Sequence, residues 1–144
     1  MPNVAESVTV QAPPEKAWEL LSDLARWEEW LTIHQGWRGD VPESLTAGAR
    51  LTEVVSVMNM ANKIEWTVDA LEEPKLLKMS GTGMAGVKVE FTLEVAAADG
   101  GSTTASFDAD FSGAMIVGPI GKAVAKQTGS DLRDSMDNFA KLLG

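Results

Sequence analysis

The chain has 144 residues, with 21 acidic against 12 basic side chains, a net charge of −9, and neither cysteine nor tyrosine. That length makes one domain, able to bury about two-thirds of its unfolded surface, and without cysteine it builds neither a disulfide framework nor a thiolate metal site. Basic residues are scattered from Lys16 to Lys141 with nothing larger than a pair, which disfavours nucleic acid and anionic lipid headgroups as partners.

No apolar stretch approaches the roughly 20 residues that a membrane span requires. Met1 to Ser7 carries neither a basic region nor an apolar run, so no secretory leader and a cytoplasmic location are expected. Val4 to Gln11 sets Val8 and Val10 against Ser7 and Thr9, the alternation of a first strand. Pro13-Pro14 then opens a helix, with Glu15 near its positive end and Ala17, Leu20, Leu21 and Leu24 on its apolar face. A second short helix is expected over Ala25 to Leu31. Gly36, Gly39, Pro42 and Gly48 break the following segment into extended pieces and turns.

From Arg50 the pattern is strand after strand. Leu51 to Met58 is apolar with loose alternation. Ile64, Trp66, Val68 and Ala70 alternate with Lys63, Glu65, Thr67 and Asp69, so one face is buried. Glu72-Glu73-Pro74 turns the chain and Leu76 to Thr82 returns. Val87, Val89, Phe91, Leu93 and Val95 give the cleanest period of two, Asp99-Gly100-Gly101 is a hairpin connector, and Ala105, Phe107, Ala109 and Phe111 follow. Gly118-Pro119 starts a helix to Leu142 that places Ile120, Val124, Leu132, Met136, Phe139 and Leu143 on one side. The fold class is α+β: a single domain over residues 1–144, with an antiparallel sheet of about six or seven strands wrapped around a long C-terminal helix and two short helices after the first strand. A helix with an apolar stripe needs a partner surface, and a curved sheet closed over it commonly leaves a cavity.

This order resembles the helix-grip fold, the superfamily of START domains, pollen allergens of the Bet v 1 type, and polyketide cyclase/dehydrase and lipid-transport proteins. The resemblance rests on Ala12-Pro13-Pro14-Glu15-Lys16-Ala17-Trp18, Leu45-Thr46-Ala47-Gly48-Ala49-Arg50-Leu51 and Glu73-Pro74-Lys75-Leu76-Leu77. The run from Trp27 to Arg38, with Gly118-Pro119-Ile120-Gly121, is similar to an actinobacterial branch in which some members are toxin halves of toxin–antitoxin pairs. The resemblance implies a hydrophobic cavity between sheet and helix, without naming its ligand.

Gly81-Thr82-Gly83-Met84-Ala85-Gly86 fits G-x-G-x-x-G, but a dinucleotide loop must enter a helix and this one enters a strand. His34, the sole histidine, stands between Trp30 and Trp37, either as an acid–base or ligand-orienting group or as a hydrogen-bonded structural residue. Most carboxylates on the strands (Glu65, Asp69, Glu90, Glu94, Asp108, Asp110) take the outward phase. Glu53 points inward in one of two phases, where Arg38 or Arg50 would pair with it. The apolar segment Gly113 to Gly118, around Met115, reads as a gate.

The leading expectation is a cavity that binds a small hydrophobic or amphipathic, lipid- or polyketide-like ligand, lined by Trp30, His34, Trp37, Trp66, Phe91, Phe107, Met115, Val124 and Leu132, with no metal and no cofactor. A rival is a cyclase/dehydratase-like enzyme with His34 as acid–base group and Arg38 steadying an enolate or carboxylate. A third is a toxin-like component acting on a small protein partner.

Overall fold

The computed structural model describes residues 3–39, 41–42, 45–57, 60–83, 86–113 and 118–143. In chain order they form β1 (Asn3–Val10), α1 (Pro14–Ser22), a 3-10 turn (Leu24–Arg26), α2 (Trp27–Trp30), β2 (His34–Arg38) and β3 (Arg50–Val57). There follow β4 (Met60–Glu72), β5 (Leu76–Thr82), β6 (Lys88–Ala97), a 3-10 turn (Asp99–Gly101), β7 (Thr103–Ser112) and α3 (Gly118–Leu143). The seven strands make one sheet, ordered β1-β7-β6-β5-β4-β3-β2, and every neighbouring pair is antiparallel.

The period of two decides which side of the sheet is buried. Ile64, Trp66 and Val68 face inward on β4, Leu77 and Met79 on β5, Val89, Phe91, Leu93 and Val95 on β6, and Ala105, Phe107, Ala109 and Phe111 on β7. The carboxylates expected to point outward do so: Glu65, Asp69, Glu90 and Glu94 are exposed, and Asp108 and Asp110 share Asn3 Nδ2 on the outer face at 2.8 and 2.5 Å. Register places Leu51, Trp66, Gly81, Val89 and Phe111 in one inward row. A Cβ on Gly81 would stand 2.6 Å from Ile64 Cγ2 and 2.8 Å from Trp66 Cε3, so the missing side chain is what admits the Trp66 indole. The G-x-G-x-x-G run begins at the end of β5 and ends just before β6, a strand-to-strand connection.

α3 runs along β1. A Cβ on Gly129 would meet Val4 Cγ1 at 3.5 Å, and Arg133 Nη2 reaches Glu6 Oε1 at 3.4 Å. Its other anchor is the turn after α2. Thr32 N–H donates to Ser135 Oγ at 2.9 Å, Thr32 Oγ1 donates to the Asp131 carbonyl at 3.1 Å, and Asn138 Nδ2 reaches the Trp30 carbonyl at 3.5 Å.

One detail sharpens the pattern read along the chain and another departs from it. The segment after α2, read as extended pieces and turns, supplies an edge strand, β2, paired to β3 with an irregularity between His34 and Gly36. Ile120, expected on the buried stripe, is 57% exposed. The buried positions are Gly121, Val124, Thr128, Leu132, Ser135, Met136 and Phe139. Gly121 and Phe139 share an azimuth, five turns apart, and Ile120 falls roughly 100° round from them at 3.6 residues per turn.

A buried histidine–glutamate pair and its aromatic wall

β2 and β3 bring the charged chemistry together. Register sets Trp37 opposite Glu53, and β3 in turn sets Glu53 opposite Ile64, so Glu53 takes the inward phase. It is 0% exposed, the one fully buried ionisable side chain among the described residues. Such a group needs partners, because an unpaired buried charge is costly. Trp66 Nε1 donates to Glu53 Oε1 at 2.9 Å, and His34 Nδ1 hydrogen-bonds Glu53 Oε2. The His34 side chain is itself only 3% exposed. Neither Arg38 nor Arg50, the expected partners of Glu53, takes that role: both are exposed. Arg38 pairs in register with Thr52, in the phase opposite to Glu53.

Aromatic rings carry the site from one side of the interior to the other. Trp66 lies 4.5 Å from Phe91, Phe91 4.8 Å from Phe107, Phe107 6.3 Å from Trp30, and Trp30 5.3 Å from Phe139, all between ring centroids. A second branch joins Trp30 to Trp27 at 5.9 Å, Trp27 to Trp37 at 5.3 Å, and both Trp27 and Trp37 to His34, at 6.2 and 5.0 Å. Most contacts are edge-on or tilted, the arrangements that ring quadrupoles favour. Indole donors are tied off where they can be: Trp27 Nε1 to the Leu21 carbonyl and Trp37 Nε1 to the Leu24 carbonyl, each at 2.9 Å.

Two polar atoms are not. Trp30 Nε1 and Thr128 Oγ1 are buried with no hydrogen-bond partner among the described residues. Thr128 lies on the inward stripe of α3 between Val124 and Leu132.

Of the residues expected to line a cavity, Trp30, Trp66, Phe91, Phe107, Val124 and Leu132 are buried, and His34 and Trp37 are partly buried at residue level. Met115, with the rest of the expected gate at 114–117, lies outside the described residues. A depression of about 240 Å³ lined by Ala12, Lys16, Leu20, Arg26 and Leu142, among others, lies at the far end of α3 and involves none of these side chains. Trp27 was not among the expected lining residues, and Thr128 was not singled out from the sequence. The only available signal for Thr128 was its spacing of four from both Val124 and Leu132.

Among the described residues no three His, Cys, Asp or Glu side chains are grouped to hold a metal, and no helix is long and apolar enough to cross a membrane. A family model described as polyketide cyclase/dehydrase and lipid transport matches residues 1–144. The Mycobacterium tuberculosis protein named Toxin Rv0910 is 41% identical over 139 residues, 96% of each chain. Rv1546 of the same species is 34% identical over 144 residues, 100% of each. A solved START superfamily protein from Mycobacterium smegmatis superposes with a TM-score of 0.78 at 18% identity, over 99% of both chains. DynU16, from the dynemicin biosynthetic locus, gives 0.68 at 20% identity, over 99% of this chain and 47% of its own, so this chain spans about half its length. At such identities these structures establish the fold alone. The seven-stranded antiparallel sheet, the long closing helix and a family match from first residue to last make this chain a member of the polyketide cyclase/dehydrase and lipid-transport family.

Proposed function

We propose that the chain binds a small hydrophobic or amphipathic molecule between the inward face of the sheet and α3. The observation that carries this reading is the pair of unpartnered buried groups, Trp30 Nε1 and Thr128 Oγ1, where the buried polar side chains of Glu53, Ser102, Thr103 and Ser135 are all hydrogen-bonded. An orphaned buried donor or acceptor costs about 1–3 kcal/mol, which a ligand atom of the right kind recovers. Covering roughly 200 Å² of apolar ligand surface would contribute about 5 kcal/mol before association costs. Trp30, His34, Trp37, Trp66, Phe91, Phe107, Val124 and Leu132 are the proposed lining. Native mass spectrometry of the protein purified from its own host should reveal a retained small molecule. Val124→Trp should abolish uptake of an apolar fluorescent probe while circular dichroism stays unchanged; undiminished probe binding in the folded variant would refute the site.

An acid–base enzyme is a second reading, favoured by the Glu53–His34 pair, since a carboxylate on Nδ1 orients the ring and leaves Nε2 for proton transfer. Turnover of an identified substrate that survives His34→Ala removes it. A third, favoured by the relative named as a toxin, is a toxin-like protein acting on a protein partner. Growth arrest on expression, relieved by a small protein from the adjacent reading frame, is its expected signature; normal growth argues against it.

A further inference from the structure

The topology sorts charge along the molecule in a way that chain order conceals. β3 ends, β4 begins, β5 ends, β6 begins and β7 ends at one end of the sheet, and α3 starts from that end. The stretches around these connections, 57–63, 81–88 and 112–126, hold four lysines and no aspartate or glutamate, in a chain with 21 acidic residues. Those lysines, Lys63, Lys88, Lys122 and Lys126, are all exposed. So are Met60 and Ile120, at 63% and 57%, two of the three large apolar side chains left exposed among the described residues. At the opposite end, where β1 ends and α1 begins, Glu15, Glu19, Glu72, Glu73 and Asp99 are exposed, against Lys16, Lys75 and Lys141.

α3 carries part of this surface ahead of the sheet edge. Gly129 lies against Val4, near the described start of β1, so the first residue of the helix, Gly118, stands roughly 16 Å further along its axis at 1.5 Å per residue. Ile120 and Lys122 ride on that projecting start. The acidic groups nearest the lysines stand back from the tip on the outer face of the sheet. Glu65 is two residues along β4 from Lys63, and Glu90 is two along β6 from Lys88. Asp110 is opposite Glu90 and, like Asp108, accepts from Asn3 Nδ2.

We propose that this end docks on an anionic lipid bilayer, with the lysines at the headgroups and Met60 and Ile120 entering the edge of the acyl layer. Scattered along the chain, the basic residues argued against such a partner; the fold reverses that by gathering four of them at one end. Apolar burial and attraction to anionic headgroups add in this mode of binding. Met60 sits on a hairpin and Ile120 on a helix start, separate projections that a fluid layer takes independently, whereas a protein partner needs one matched surface. Nucleic acid would engage the lysines and leave both apolar side chains in water. The acidic remainder of the chain is repelled by the same headgroups, which sets the orientation, with the first turn of α3 towards the membrane. This docking needs no ligand in the interior.

The test is flotation of the purified protein with vesicles of phosphatidylcholine alone and of phosphatidylcholine mixed with phosphatidylglycerol. Binding to the mixed vesicles should exceed binding to the neutral ones about tenfold or more, and should be lost when salt is raised from about 0.05 M to about 0.5 M. Lys122→Glu combined with Lys126→Glu should weaken it about tenfold or more, and Met60→Ser combined with Ile120→Ser several-fold. Lys78→Glu, at an exposed lysine in the half of β5 nearer the opposite end, should leave it unchanged. These positions are all exposed, so the variants should fold, which circular dichroism checks. Should one fail, the wild-type dependence on lipid charge and salt still decides. Equal binding to both vesicles, binding to neither, or the same loss from Lys78→Glu as from the paired reversal overturns the proposal. Binding to polyglutamate without binding to vesicles would assign the surface to an acidic protein and overturn it too. None of these outcomes bears on the interior site, which Val124→Trp tests.

Discussion

Where α3 carries Leu132, Met136 and Phe139, the interior is closed: Phe139 meets Trp30, Trp30 meets Phe107, and Ser135 ties the helix to Thr32. Where it carries Gly121, Val124 and Thr128, the inward residues are small, one has an orphaned hydroxyl, and the preceding turn leaves Ile120 exposed. The sheet repeats the contrast. Strand directions put the start of β4, the end of β5, the start of β6 and the end of β7 at the end from which α3 begins, and there Met60 is 63% exposed. Glu53 belongs to that end too, opposite Ile64 near the start of β4. One part of the interior thus packs large rings, with the Trp30 indole N–H unpartnered among them, while the other holds small inward residues, the orphaned Thr128 hydroxyl and the paired Glu53.

The largest effect should come from the closed part. Phe139→Ala is expected to lower the unfolding free energy in urea by about 3–5 kcal/mol, while Val124→Ala should cost about 2 kcal/mol or less. Equal losses would erase the contrast. Gly81→Ala, whose new methyl meets Ile64 and Trp66 at sub-contact distances, should cost about 1–3 kcal/mol and shift tryptophan emission, because the Trp66 ring must move. Unchanged stability and emission would mean that the row is looser than its geometry. Thr128→Val replaces an orphaned hydroxyl with a methyl of similar size, so it should stabilise the ligand-free protein by about 1 kcal/mol. Destabilisation would mean that the hydroxyl has a partner after all.

The smallest effect concerns Asp131, at the junction of the two parts. Burial holds its carboxyl above the ordinary value, with Gln127 opposing and Asp134 adding to the shift. The native state therefore binds its proton more readily than the unfolded chain does. Stability from this group is present at low pH and lost as pH rises through the raised value. Asp131→Asn should flatten that slope and leave the melting temperature at neutral pH equal or slightly higher. A slope that persists in the variant would assign it to other groups.

Much of the fold was legible along the chain because burial on one face writes itself as a period. The alternation in β4, β6 and β7 and the apolar stripe of α3 give both the elements and their inward residues, and both tolerate errors of a residue or two at the ends. β2 was legible only as one of several short extended pieces, without bounds: His34-Gln35-Gly36-Trp37-Arg38 is short, contains glycine, and lies at a sheet edge where only one partner enforces pairing. Ile120 misled because spacing alone leaves the centre of a helical stripe undetermined by about one residue step.

His34 and the choice of an inward Glu53 were visible as options, but their meeting was not. The two are 19 positions apart on different strands, and only the register of β2 on β3 and of β3 on β4 joins them to Trp66. The same holds for Thr128, whose hydroxyl matters only because the helix presents it to an interior that offers it no partner. Local pattern thus determined the strands, the closing helix and which faces would leave water, since hydrophobic periodicity is a property of neighbours in sequence. The tertiary structure alone decided which polar side chains share the dry interior, because a hydrogen bond across strands depends on register, and register depends on every strand between.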